Sequence, residues 1–150
     1  MKNLVCLCLV VAISLTALAA DKADDQKSLQ GTWLPIKAEL GGHPMPDAVL
    51  KTISLKLTEK EYHVLVAGEP DDGTWSIDPA ASPKGMTITG VKGPNAGKTF
   101  PCIYELNADG TLRICYDLSG EKRPTEFKTL AGTKLYLVTY QRKQEPSIPN

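Results

Sequence analysis

The chain has 150 residues with 17 basic and 17 acidic side chains, 12 Gly, 11 Pro and 4 Cys. A charge balance this near zero argues against nucleic acid and anionic lipid as the main partner, and the length is that of one domain. No apolar stretch reaches the ~20 residues that a membrane-spanning helix needs.

The first segment reads as a secretory signal peptide, residues 1–19. Lys2 supplies the positive charge, Leu4 to Leu18 is apolar apart from Ser14 and Thr16, and Ala17-Leu18-Ala19 offers small residues at the two positions a signal peptidase reads. Lys2, Cys6 and Cys8 leave with it. The mature protein is therefore expected to be slightly acidic, exported and soluble, in the periplasm or outside the cell, with Cys102 and Cys115 as its cysteines. Neither early cysteine stands where a lipid anchor would attach. Every Gly and Pro lies in the mature part, which interrupts it too often for long helices.

Residues 20–28 are polar and charged and are expected to form a disordered leader. Residues 29–143 read as one β-domain, and residues 144–150, with Pro146 and Pro149, as a flexible tail. From Gly31 the chain falls into eight short alternating segments between turn clusters, the pattern of an antiparallel barrel or sandwich. The first, Gly31 to Leu40, stops at Gly41-Gly42-His43-Pro44-Met45-Pro46. Pro35 inside it removes a ladder donor, so this strand should bend, bulge or lie at an edge. Asp47 to Lys51 is expected to form one helical turn with Asp47 as its cap. Ile53 to Leu57 and Tyr62 to Val66 alternate around Thr58 to Glu61. Leu50, Ile53 and Leu57 also fit a helical spacing, but the β-branched and aromatic content after Tyr62 favours strands. Glu69 to Gly73 reads as a turn, Thr74 to Ile77 as the fourth strand, Asp78 to Gly85 as a break, and Met86 to Thr89 as the fifth strand. Gly90 to Lys98 is a loop. Two strands flank Asn107-Ala108-Asp109-Gly110, and the last, Lys134 to Arg142, follows the polar loop Leu118 to Thr133.

The segment Cys102 to Tyr116 carries a sharper argument. Asn-Ala-Asp-Gly is the form of a type I turn ending in a glycine of positive φ, a three-residue loop with a bulge. It pairs Asn107 with Thr111, Leu106 with Leu112, Tyr104 with Ile114 and Cys102 with Tyr116. One face is then Cys102, Tyr104, Leu106, Leu112, Ile114 and Tyr116, and the other sets Glu105 opposite Arg113. A one-residue slip would put Cys102 opposite Cys115 but would mix Arg113 into the apolar face, and burying an unpaired charge costs more than a disulfide returns. Cys102 is predicted to point inward and Cys115 outward, with no bond between them.

No constellation in the sequence supports catalysis. Gly93-Pro94-Asn95-Ala96-Gly97-Lys98-Thr99 has three residues before its Gly-Lys-Thr where a phosphate loop needs four, and it opens a strand rather than a helix. His43 and His63 have no Cys, His or acidic residue at a spacing typical of zinc, and His63 alternates with Tyr62, Val64 and Val66, hence toward solvent. Asp71-Asp72-Gly73 lacks the later carboxylates of a calcium loop. There is no Gly-x-Ser-x-Gly elbow and no recognisable Ser, His and Asp grouping. No catalytic residue, metal or cofactor is assigned, and a non-enzymatic role is expected.

Gly31-Thr32-Trp33 at the head of the first strand, eight strands and Arg142 near the end of the last together resemble the lipocalin-type barrel. The resemblance implies an all-β, eight-stranded, antiparallel up-and-down barrel, with Trp33 closing one end and Arg142 packed across its indole, a cation–π contact of about 0.5–2 kcal/mol. Gly31, Trp33 and Arg142 would then be structural. In order, Leu29-Gln30-Gly31-Thr32-Trp33, Gly41-Gly42-His43-Pro44 with Pro46, Gly93 to Thr99, Ile103-Tyr104-Glu105-Leu106, Gly110-Thr111-Leu112 with Cys115, Arg123-Pro124-Thr125-Glu126-Phe127 and Tyr140-Gln141-Arg142 are similar to a lipocalin-like domain family of unknown function. That family is named for its abundance in planctomycete bacteria. The likeness spans nearly all of the mature chain. It implies a small exported or envelope-associated barrel and carries no active site with it.

Two functions fit such a barrel. In the first it carries a small apolar molecule, since eight strands enclose room for side chains or for one small ligand. Alternation turns Leu55, Val64, Trp75, Ile77, Met86, Ile88, Tyr104, Leu112, Ile114, Tyr116 and Leu137 inward. Of these, Leu55, Val64, Trp75, Ile88, Tyr104, Ile114 and Leu137 are the candidate ligand lining. In the second the barrel is filled, and loops such as Gly90 to Lys98 and Leu118 to Thr133, with Glu121, Lys122, Arg123 and Glu126, bind or inhibit another envelope protein. Either is expected to act as a monomer. An open pocket beneath Trp75 and Tyr104 favours the carrier.

Overall fold

The computed structural model describes residues 22–146; the predicted signal peptide and the end of the predicted tail lie outside them. Residues 22–29 form a helix, α1, where a disordered leader is expected from composition. So polar a segment lacks the apolar stripe that stabilises a short helix, and tertiary contacts supply the difference. Leu29 is fully buried. Asp25 accepts hydrogen bonds from the Tyr104 hydroxyl and the Lys84 ammonium, each at 2.7 Å.

The strands are β1 (Gly31–Leu40), β2 (His43–Pro44), β3 (Ile53–Leu57), β4 (Glu61–Val66), β5 (Glu69–Asp78), β6 (Gly85–Lys92), β7 (Thr99–Leu106), β8 (Leu112–Asp117) and β9 (Leu135–Arg142), with a single helical turn, α2 (Asp47–Leu50), before β3. From β3 to β9 each strand pairs antiparallel with the next, and β1 closes the ring between β3 and β9. The result is a closed, eight-stranded, all-antiparallel up-and-down barrel. Closure removes the exposed edges that an open sheet would carry. The two residues of β2 only fold back on the end of β1. Pro35 acts as expected, because the pairing of β1 with β9 shifts register between Pro35 and Lys37 and leaves Ile36 as the extra residue of a bulge.

β5 begins five residues before its predicted start. The turn is Ala67-Gly68, with φ of 51° and 85°, the doubly positive geometry of a two-residue hairpin loop. Glu-Pro-Asp-Asp-Gly then continues as strand, with Pro70 opposite Leu65 and Asp71 opposite Val64. Gly73 is required at its position, since a Cβ there would collide with the Thr89 carbonyl and the Tyr62 ring.

The hairpin β7–β8 has the predicted register, including Glu105 opposite Arg113 and Cys102 opposite Tyr116. Leu106, at its tip, is the one member of the apolar face that is exposed. Cys102 lies inside, its thiol donating to the Phe100 carbonyl at 3.4 Å. Cys115 lies on the outer face yet is also fully buried, because residues 118–134 fold back as a strap over β6, β7 and β8. Arg123 donates from one nitrogen to the Met86 and Cys102 carbonyls, Phe127 stacks on Arg113 at 4.4 Å, and the Lys128 carbonyl faces the Cys115 thiol at 3.8 Å. Both thiols are free, and burial pushes both above their ordinary pKa.

Candidate functional site

The inward-facing side chains divide the barrel interior into two halves. At the α1 end it is solid: Trp33, Leu57, Trp75, Ile77, Met86, Tyr104, Leu112 and Ile114 are all buried. Trp33 donates from its indole nitrogen to the Leu29 carbonyl at 2.9 Å, and Trp75 donates to the Thr58 carbonyl at 3.1 Å. The Arg142 guanidinium lies over the Trp33 ring, 4.2 Å from its centroid, and donates to the carbonyls of Gln30 and Ser28. Gly31 has φ of +130°, and a Cβ on it would strike that guanidinium. Gly31, Trp33 and Arg142 thus form one plug.

At the other end the interior is open. A cavity of about 360 Å³ is walled by Ile53, Leu55, Tyr62, Val64, Val66, Ile88, Phe100, Tyr116, Leu118, Tyr136 and Tyr140, with Glu69, Asp71, Pro94 and Asn95 toward its mouth. Of the seven predicted lining residues, Leu55, Val64 and Ile88 are on this wall. Trp75, Tyr104 and Ile114 face inward but belong to the solid half. Leu137 does not face inward at all. It pairs with Cys115 and Glu39 on the outer surface, while Tyr136, Val138 and Tyr140 are the inward residues of β9. The polar Thr139 and Gln141 share its face, which is the alternation that should have placed it. The open space lies above the Trp75 and Tyr104 layer.

The cavity floor is aromatic. Tyr136 stacks on Tyr116 with centroids 5.5 Å apart, and the hydroxyls of Tyr116 and Tyr140 are hydrogen-bonded to each other at 3.0 Å. Burial keeps all of these phenols protonated: it raises Tyr116 and Tyr140 far above the usual range and Tyr136 to about 12. No tyrosinate is available as a base at neutral pH.

The mouth is shaped by residues 93–98. Gly90 and Lys98 are bonded across the base of this loop, and the Gly97 amide returns to the Gly90 carbonyl at 2.9 Å. A Cβ at Gly90 would overlap the Asn95 carbonyl, and one at Gly93 would press on Pro70. The loop is tied to β5 by Asp71, which is 9% exposed. Its Oδ1 accepts from the Asn95 amide at 3.1 Å, and its Oδ2 accepts from the Asn95 side chain at 2.8 Å and from the Tyr62 hydroxyl at 3.3 Å. Sequence reasoning turned Trp75 and Ile77 inward but assigned Glu69 to Gly73 to a turn, and so missed that Glu69, Asp71 and Gly73 continue the same face.

Elsewhere, His63 is exposed on the outer face beside Asp72 at 3.0 Å. Among the described residues no group of three or more His, Cys, Asp or Glu side chains is arranged to hold a metal, and no helix is long and apolar enough to cross a membrane. No protein-family model matches the chain, and a search of curated proteins finds none similar to it.

Proposed function

We propose that this protein is an exported, lipocalin-like carrier that holds one small apolar molecule in the open half of its barrel without transforming it. The observation that carries the reading is the cavity itself. Its volume falls within the ~300–1,000 Å³ of small-molecule sites, and its walls are mainly aliphatic and aromatic. A barrel evolved only as a scaffold would have closed that space with larger side chains, as it does at the α1 end, because an apolar void forfeits packing energy. Export rests on the signal-peptide pattern of residues 1–19, and the lipocalin-like assignment on the Gly31, Trp33 and Arg142 plug together with the motifs that follow it. We take the role to be non-enzymatic because the wall offers aliphatic side chains and protonated phenols, and the two carboxylates at its mouth, Glu69 and Asp71, share the lining with no Ser, Thr, Cys or His.

The loop-based alternative has less support. Residues 118–134 commit Arg123, Phe127, Lys128 and Thr129 to the barrel's own surface and sides. Native mass spectrometry of the protein taken from its own cell envelope tests the carrier directly. The expected result is a co-purifying small molecule that is lost in Ile88→Trp, where the indole fills the cavity. An unliganded mass from the native envelope, together with no heat of binding for a panel of small apolar compounds, would overturn it. Neither Trp33 nor Trp75 lines the cavity, so tryptophan fluorescence is a poor reporter and calorimetry is the better one.

A further inference from the structure

The charge inside the mouth narrows the class of ligand, and this step rests on the carrier reading above. We propose that the ligand is a protonated amine on an apolar body, its ammonium group lodged against Asp71 and its apolar part on the aromatic floor.

The ionisable groups along the cavity, apart from the tyrosines, are Glu69 and Asp71; no Lys, Arg or His lines it. Asp71 is nearly buried, yet among the described residues no cation lies within ion-pairing reach of it. Its hydrogen bonds come from the Asn95 amide, the Asn95 side chain and the Tyr62 hydroxyl, all neutral donors. A carboxylate offers about four lone-pair sites, so one acceptor position and the whole negative charge remain to be matched. A buried charge is ordinarily paired, and the open side of this one is the cavity.

The walls agree with a cation. Phe100, Tyr62, Tyr116, Tyr136 and Tyr140 present ring surfaces to the same space, and ring faces attract ammonium groups. Glu69 projects from the same face of β5 at the rim, where a second negative charge draws cations toward the mouth. An anionic amphiphile such as a fatty acid would meet two carboxylates and no positive partner. The site selects by repulsion as well as by attraction.

Calorimetry with three probes of one skeleton tests this: 4-phenylbutylamine, 4-phenyl-1-butanol and 4-phenylbutyrate at pH 7. The amine is expected to bind at least about tenfold tighter than the alcohol, with no measurable heat from the carboxylate. Asp71→Asn should lower amine affinity to that of the alcohol. Glu69→Gln, at an exposed rim position whose side chain makes no hydrogen bond or ion pair among the described residues, should weaken the amine about two- to threefold and reduce its salt dependence. Equal binding of amine and alcohol, or carboxylate binding as tight as either, would overturn the amine assignment and leave the carrier standing. Heat from none of the three, together with an unliganded mass from the native envelope, would overturn the carrier reading itself.

Discussion

Arg142 and Trp33, at opposite ends of the chain, meet face to face at the closed end of the barrel, with 4.2 Å between the guanidinium carbon and the ring centroid. The same guanidinium donates to Gln30 and Ser28, which anchors α1 to the barrel floor. Arg142→Ala is expected to lower stability by about 1–3 kcal/mol, since it removes a cation–π contact and two charge-assisted hydrogen bonds from a partly solvated site. Gly31→Ala should cost a similar ~1–3 kcal/mol, because the new Cβ meets the guanidinium and alanine does not favour φ of +130°. Urea unfolding reads both. A Gly31→Ala protein as stable as the wild type would contradict this account of the Gly-x-Trp motif.

The two halves of the barrel should respond oppositely to substitution. Ile114 is fully buried in the solid half, so Ile114→Ala is expected to cost about 2–5 kcal/mol. Val64 borders the open half. Val64→Phe should therefore change stability by less than about 1 kcal/mol, its added ring entering existing space rather than straining a packed core. A large loss for Val64→Phe in denaturant unfolding would mean that the cavity is smaller or stiffer than described.

The protein has five tyrosines, and all five are shifted upward, with burial the largest cause in each. In the unfolded chain tyrosine ionises near pH ~10. A group whose folded pKa is raised contributes stability that is complete below its unfolded pKa and is lost as pH rises toward the folded value. The native protein should accordingly resist alkali up to about pH 10 and weaken above it. Phenolate absorbance at 295 nm should lag behind free tyrosine, with Tyr136 titrating first near pH 12. Five tyrosines titrating together near pH 10 in the folded state would refute the burial of this aromatic floor.

What could be read from the sequence follows from where physics is local. Asn107-Ala108-Asp109-Gly110 dictates its own turn, and that turn fixes which residues of β7 and β8 face one another. The opposite faces of Cys102 and Cys115 follow from residues a few positions apart. Ala67-Gly68 hides its turn, because alanine rarely adopts positive φ and the turn-rich composition of Glu69 to Gly73 draws attention away from it. The acidic mouth was lost with it. Leu137 was misplaced although its face is shared by the polar Thr139 and Gln141, because it was read as a single apolar residue rather than with its i+2 and i+4 neighbours. The helix over residues 22–29 was illegible for a different reason, since its order comes from Tyr104 and Lys84, far along the chain.

The first turn of the strap that covers Cys115 is tied down by one carboxylate. Asp117 accepts hydrogen bonds from the Ser119 amide at 2.9 Å, the Ser119 hydroxyl at 2.5 Å, the Glu121 amide at 3.2 Å and the Lys122 amide at 2.8 Å. Burial pushes its pKa up, but these hydrogen bonds outweigh burial and hold the carboxyl below the usual range. A depressed folded pKa gives stability that is present above the unfolded value of ~3.9 and is lost as pH falls through the folded one. The strap should therefore loosen below about pH 4 while the barrel persists. Asp117→Ala should produce the same loosening at neutral pH, at a cost of about 1–3 kcal/mol. The reporter is Cys115. It is shielded by the Lys128 carbonyl and its neighbours, whereas Cys102 is shielded by the barrel wall itself. A disulfide reagent such as 4,4′-dithiodipyridine, which reacts in acid as well as at neutral pH, should label one thiol in Asp117→Ala, or in wild type as the pH is lowered progressively below about 4, and peptide mapping should place it at Cys115. Simultaneous labelling of both cysteines would mean that the whole barrel opens, and labelling of neither would mean that Asp117 does not hold the strap.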